Sequence, residues 1–166
     1  MLRGGEPDVS DAYASTLWVA DYMLRMASAG YAGVNLHGGG DGIYTPIETF
    51  EAGVANPRPM YIGMQFADRF TGYHLLSADL ETTASVSAYL GQSKDSIQLA
   101  LINKGSQPVR ISIDAGLPRQ KPAETWRLSG ADLAAKNEIS MAKINAGRST
   151  SILITPYAAE LRRWDV

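Results

Sequence analysis

The string His37-Gly38-Gly39-Gly40-Asp41-Gly42 is the part of this 166-residue chain best able to do chemistry. It follows a strand-like run, and its glycines leave backbone N–H groups open to an oxyanion, a phosphate or a carboxylate. An esterase-type oxyanion loop needs a Gly-x-Ser-x-Gly nucleophile elbow, which the chain lacks. A nucleotide loop needs G-x-G-x-x-G opening a helix, or G-x-x-x-x-G-K-[ST]. Here the glycines run instead into Ile43-Tyr44-Thr45-Pro46. Two readings stay open: a surface loop on which nothing packs, or the loop after the last strand of a β/α barrel, at the rim where such barrels place their sites.

Carboxylates could supply acid–base or nucleophilic chemistry, and Glu6, Asp8, Asp11, Asp41, Glu48 and Glu51 fall in or near loops of the first half. A retaining glycosidase needs two carboxyl groups about 5–5.5 Å apart, and nothing in these spacings marks such a pair. His37 and His74 are far apart and form no H-x-x-x-H or H-E-x-x-H pattern, so no metal is implied. No cofactor motif is present. With no cysteine, the chain has no disulfide, thiol nucleophile or zinc–thiolate site.

Composition narrows the partners. An apolar fraction of 45% and a charged fraction of 19% describe a globular protein with a real core. A net charge of −2 gives no electrostatic reason to expect nucleic acid or an anionic membrane. No run reaches the roughly 18 apolar residues of a membrane span. The first residues lack the basic and apolar regions of a signal peptide, so a secreted or periplasmic parent would carry its signal upstream of Met1.

The elements that must position these residues change period midway. Ser10 is suited to N-cap a helix and Gly30 to end it. Between them, Tyr13, Leu17, Trp18, Ala20, Leu24 and Ala27 recur at helical spacing. Val19, Tyr22, Met23 and Met26 widen the stripe around most of the circumference. Tyr31 to His37 reads as a short strand, Gly38 to Tyr44 as a loop, and Met60 to Phe70 as a second amphipathic helix. After about Leu75 the period becomes two. Val86, Ala88 and Leu90, then Ile97, Leu99 and Leu101, then Val109, Ile111 and Ile113 alternate with polar neighbours. Trp126 to Leu128, Ile152 to Ile154 and Leu161 to Trp164 follow. Turn signals at Lys94-Asp95, Lys104 to Pro108 and Asn145 to Arg148 separate them, and Pro118 to Pro122 reads as a loop. The fold class expected is an α+β fragment: the last β/α units of a (β/α)8 barrel over residues 1–74, then an antiparallel β-sandwich over 75–166.

The order of the pieces carries a resemblance. Gly4-Gly5-x-Pro7-x-Val9-Ser10-Asp11 with Leu17-Trp18-x-x-Asp21 resembles the segment after barrel strand seven of glycoside hydrolase family 79, the heparanase and β-glucuronidase family. Ala32-Gly33-Val34-Asn35-Leu36-His37-Gly38-Gly39 resembles its eighth strand and loop. Tyr44 to Ile47 and Pro59 to Met64 resemble the following loop and last barrel helix. Ala100 to Lys104 and Thr155 to Ala159 resemble strands of its accessory sandwich.

The resemblance implies a retaining hydrolase acting on uronic-acid glycosides. It places the nucleophilic glutamate, and the acid/base glutamate further upstream, before Met1. No catalytic residue is therefore assigned in this chain, and activity alone is not expected. What the resemblance carries over is a substrate-binding rim of Gly4, Gly5 and Tyr44, contacting the uronate carboxylate through backbone N–H groups and a phenol. Arg3 stands where relatives have another glycine. The competing reading is a non-catalytic carbohydrate-binding or protein-interaction module. With most of a barrel wall missing, Leu17, Trp18, Met23 and Leu24 are expected to seek cover in a homo-oligomer or in an N-terminal barrel portion.

Overall fold

A computed structural model describes residues 5–38, 42–49, 53, 55–113 and 116–166. The chain forms two compact units. One holds the residues up to Arg69 together with Gly130–Ile139; the other holds Phe70–Ser129 and Ser140–Val166. Among the described residues, both helices lie in the first unit and the six-stranded sheet in the second, giving a mixed α+β fold whose sheets are antiparallel. No described helix is long and apolar enough to cross a membrane.

In the first unit, α1 (Tyr13–Ser28) packs against α2 (Pro59–Asp68). Gly63 makes the crossing close: a Cβ there would lie 2.6 Å from Val19 Cγ1 and 2.9 Å from the Thr16 carbonyl carbon. The Thr16 hydroxyl donates to the Pro59 carbonyl at 2.7 Å, which satisfies this buried polar group across the helix contact. Pro59 opens α2, where its missing N–H costs nothing. α2 thus starts one residue before the expected Met60 and ends at Asp68 rather than Phe70.

The C-terminus of α1 is as the sequence suggests. Gly30 has φ +84 and donates to the Ala27 carbonyl at 3.0 Å, while Tyr31 N–H reaches Met26 at 3.1 Å, the paired bonds of a Schellman end. The N-terminus is not. Ser10 is no cap: Ala12 precedes the helix without a side-chain cap bond, and Ser10 Oγ instead accepts from Glu6 N–H at 2.9 Å. The first free helical N–H groups find backbone carbonyls from the inserted segment, Tyr13 to Ala135 at 2.8 Å and Ala14 to Leu133 at 2.9 Å. Lys136 of that segment bridges Asp8 at 3.0 Å and Asp11 at 2.8 Å. The Tyr13 ring packs on Gly130.

Two further expectations are corrected. Tyr31 to His37 forms no strand: residues 33–38 have no ladder among the described residues and are mostly exposed. A strand exists only by pairing, and a buried parallel strand needs neighbours on both sides. Of the side chains expected in water, Leu17 and Leu24 are buried within the chain and Met23 is half-buried; Trp18 is 51% exposed. A short hairpin of β1 (Ile47–Thr49) and β2 (Ala55–Pro57) completes this unit.

The second unit is built on a six-stranded sheet. Its strands are β3 (His74–Leu76), β4 (Val86–Gln92), β5 (Ser96–Asn103), β7 (Glu124–Ser129), β8 (Ser140–Lys143) and β10 (Ala158–Asp165), in the order β3-β4-β5-β10-β7-β8. β6 (Val109–Ser112) and β9 (Ser151–Ile154) pair separately. Ile152 and Ile154 of β9 share a core with Leu99, Leu101, Ala158 and Trp164 of β5 and β10, and Ile111 of β6 packs at its border. Several of the alternating positions on which the strands were expected, among them Ala88, Leu90, Leu99, Leu101, Ile111 and Ile113, therefore belong to this cluster or its border. Asn103, fully buried, ties the end of β5 down: its amide donates to Gln107 and Thr155 carbonyls at 2.8 and 3.0 Å, and its oxygen accepts from Gly105 at 2.9 Å. Glu160, on the same face as its cross-strand partner Leu101, is neutralised in place by Arg162 and Arg127, each 2.8 Å away.

Candidate functional site

Within the first unit a cavity of about 720 Å³ opens beside α1. One wall is aromatic. Trp18 and Tyr22, one helical turn apart, stack with ring centroids 5.2 Å apart and planes only 7° from parallel. Asn35, Leu36 and His37, from the extended segment that follows Gly33, form another wall with Tyr44. The His37 and Tyr44 rings are 5.3 Å apart and tilted by 32°. Val9, Ser10 and Met60 close the floor and sides.

The loop carrying Tyr44 is fixed by Arg58. One guanidinium nitrogen donates to the Gly42 carbonyl and, at 2.9 Å, to Thr45 Oγ1; the other reaches Glu48 at 3.1 Å. Thr45 is fully buried, and its single hydroxyl proton is shared between the carbonyls of Gly42 and Ile47, each 3.0 Å from Oγ1. The Tyr44 ring lies against Gly42, where a Cβ would stand 2.6 Å from Cε1. A side chain at residue 42 would displace the phenol from the cavity.

Gly4 and Arg3 lie outside the described residues, as do Gly39, Gly40, Asp41 and Glu51. Gly5 is described. Its φ of +95 suits glycine alone, and a Cβ there would crowd Ser10 at 3.0 Å and Ile43 at 3.1 Å. Gly5 thus lies against Ile43, the sequence neighbour of Tyr44, but is not among the residues lining the cavity. The other candidate carboxylates turn elsewhere: Glu48 to Arg58, Asp8 and Asp11 to Lys136. Burial alone would raise the Asp11 carboxyl, but hydrogen bonds from Lys136 and the Asp8 backbone outweigh it and hold it below its ordinary value. No carboxylate is among the described residues lining the cavity, so those residues do not supply the carboxyl pair that a retaining glycosidase uses. His74 lies in the other unit.

Sequence reasoning missed Trp18 and Tyr22 as site residues because their aromatic (i, i+4) spacing is also that of a core stripe. Arg58 carried no signal at all. Its partners are set by the fold-back of the β1–β2 hairpin.

No family model and no curated protein matches the chain. Among solved structures, it is similar to an α-L-arabinofuranosidase from Thermotoga maritima in an arabinose complex, with TM-score 0.77, 13% identity, 99% of this chain and 40% of that one covered. A thermostable GH51 α-L-arabinofuranosidase from Thermotoga petrophila is similar with TM-score 0.76, 12% identity and coverages of 98% and 40%. A GH30 endoxylanase from Clostridium papyrosolvens gives TM-score 0.56, 12% identity and coverages of 99% and 40%. The chain thus has the fold of part of a glycoside hydrolase. It spans about 40% of the length of these enzymes.

Proposed function

We propose that this chain is a carbohydrate-binding part of a retaining glycoside hydrolase of the glucuronidase type: the closing β/α units of the barrel and an accessory β-sandwich. On this reading residues 1–74 belong to the barrel and 75–166 to the sandwich. The observation that carries it is the placement of Tyr44. Its phenol has no hydrogen-bond partner among the described residues and lines an aromatic-walled cavity, on the loop that resembles the uronate-contacting loop of family 79. The Tyr44 hydroxyl and the Gly5 backbone N–H are neutral donors, suited to a carboxylate that must be held without a fixed counter-charge. On this reading the described residues lining the cavity bind substrate and supply no catalytic carboxylate.

A second reading has its own support. Leu17 and Leu24 find cover within the chain, as they would in a self-sufficient binding module. Both readings put carbohydrate in the same cavity and differ in whether the rest of a barrel completes it. The test is an assay of the isolated chain with aryl glucuronides, alongside binding of methyl β-D-glucuronide. Binding without turnover, weakened by Tyr44→Phe, is the expected result. Turnover that is lost on changing Glu6 or Glu48 would refute the non-catalytic assignment, and absence of glycoside binding would refute the carbohydrate site.

A further inference from the structure

Resting on the carbohydrate reading above, we propose that the Trp18–Tyr22 stack is a sugar-stacking subsite that holds a pyranose ring face-on, with Asn35 and His37 reading its hydroxyls. Three observations converge on it. Trp18 is a large aromatic left 51% exposed on a helix whose other large apolar residues are mostly buried. Its ring is stacked parallel on that of Tyr22, which fixes the plane of an indole that stays half exposed. The polar groups around this surface are unspent: among the described residues, the Trp18 indole, the Tyr22 and Tyr44 hydroxyls, the Asn35 amide and the His37 imidazole have no hydrogen-bond partner.

That combination selects the ligand class. An apolar wall alone would suit a helix or strand of a polypeptide, but covering it with one would bury five polar groups without partners, each at a real desolvation cost. A pyranose has an apolar C–H face to lay on the rings and a rim of hydroxyls that both donate and accept. The unpaired set matches that rim, with a donor at Trp18 and donor–acceptors at Tyr22, Asn35, His37 and Tyr44. The cavity, about 720 Å³, is of the size that encloses small organic ligands. The uronate-binding end at Tyr44 and the stack at Trp18 would then take successive parts of one glycoside.

The test uses the whole chain, with methyl β-D-glucuronide, methyl β-D-glucoside and methyl β-D-xyloside as probes in calorimetric or ligand-observed NMR titrations. Trp18→Ala should weaken all three by about ten-fold, the size of one lost stacking contact, while Trp18→Phe recovers much of the loss. Because Trp18 is exposed, both variants should keep the parent's circular dichroism and melting temperature, which separates binding from folding. Asn35→Ala should change the ranking of the three glycosides. If the glycosides bind and Tyr44→Phe weakens them but Trp18→Ala does not, the stacking subsite is refuted and the carbohydrate reading stands. If none binds, both fall. If sedimentation shows a dimer that Trp18→Ala dissolves, the stack is a protein contact and the subsite is refuted.

Discussion

Gly63 of α2 lies directly against the backbone of Thr16 in α1, so close that no side chain fits between the two helices. The nearest obstacle is a carbonyl group, which cannot swing aside as a flexible side chain can. Gly63→Ala must therefore push the helices apart, at a cost of about 3 kcal/mol or more. Chemical denaturation of the variant should show this loss, despite the higher helix propensity of alanine. A stability equal to the parent would mean the crossing is looser than described.

The clasp between Lys136 and the pair Asp8 and Asp11 sets a pH dependence. Asp11 has a folded pKa below its ordinary value, so its contribution is complete above the unfolded pKa of about 4 and disappears as pH falls through the lower, folded value. Lys136 is raised by its bonds to Asp11 and Asp8, so its share is present below its ordinary value and is lost only in strong alkali. Hydrogen exchange of the Tyr13 and Ala14 amides should report the clasp, because they are held by the Ala135 and Leu133 carbonyls. Protection should drop as the solution is acidified below about pH 4, and Asp11→Asn should lower it at neutral pH and flatten the acid response.

Glu160 carries two arginines in the second unit, and its own side chain is 2% exposed. Glu160→Ala leaves Arg162, itself 10% exposed, with its buried charge uncompensated. A loss of about 3–5 kcal/mol is expected. Arg127→Ala should cost distinctly less, since that side chain is 39% exposed and water can replace it. Thermal melts of the two variants check the order.

Arg58 should act on the site at a distance. Arg58→Ala removes the donors that hold Gly42, Thr45 and Glu48. The 42–48 loop should then exchange its amides faster while the strands of the second unit keep their protection. Affinity for methyl β-D-glucuronide should fall by about ten-fold, as Tyr44 loses its fixed position.

How far the sequence revealed this structure depends on where each element finds its partners. The β4, β5, β6, β7, β9 and β10 strands were legible because alternation records locally which face is buried. The end of α1 was legible because Gly30 and the bonds it makes are neighbours in sequence. Its beginning was not, because the carbonyls that satisfy Tyr13 and Ala14 come from a segment far downstream, and Ser10 offered a plausible local substitute. Tyr31 to His37 reads as a strand by composition, yet a strand is made by its partner, and no described segment pairs with it. Of the residues lining the cavity, Tyr44 was singled out by a resemblance in the order of motifs, whereas Trp18 disappeared into a helix apolar on most sides, since residue type alone does not say which aromatic stays exposed.

The proposed function requires this chain to bind a uronic-acid glycoside through the cavity that Tyr44 lines. Calorimetric titration of the intact chain with methyl β-D-glucuronide, against methyl β-D-glucoside as the neutral control, tests it most directly. Saturable binding of the glucuronide that exceeds that of the glucoside is expected, with the preference lost in Tyr44→Phe, which removes the phenol proposed to donate to the carboxylate. Equal binding of the two glycosides, or a glucuronide preference unchanged by Tyr44→Phe, would contradict it.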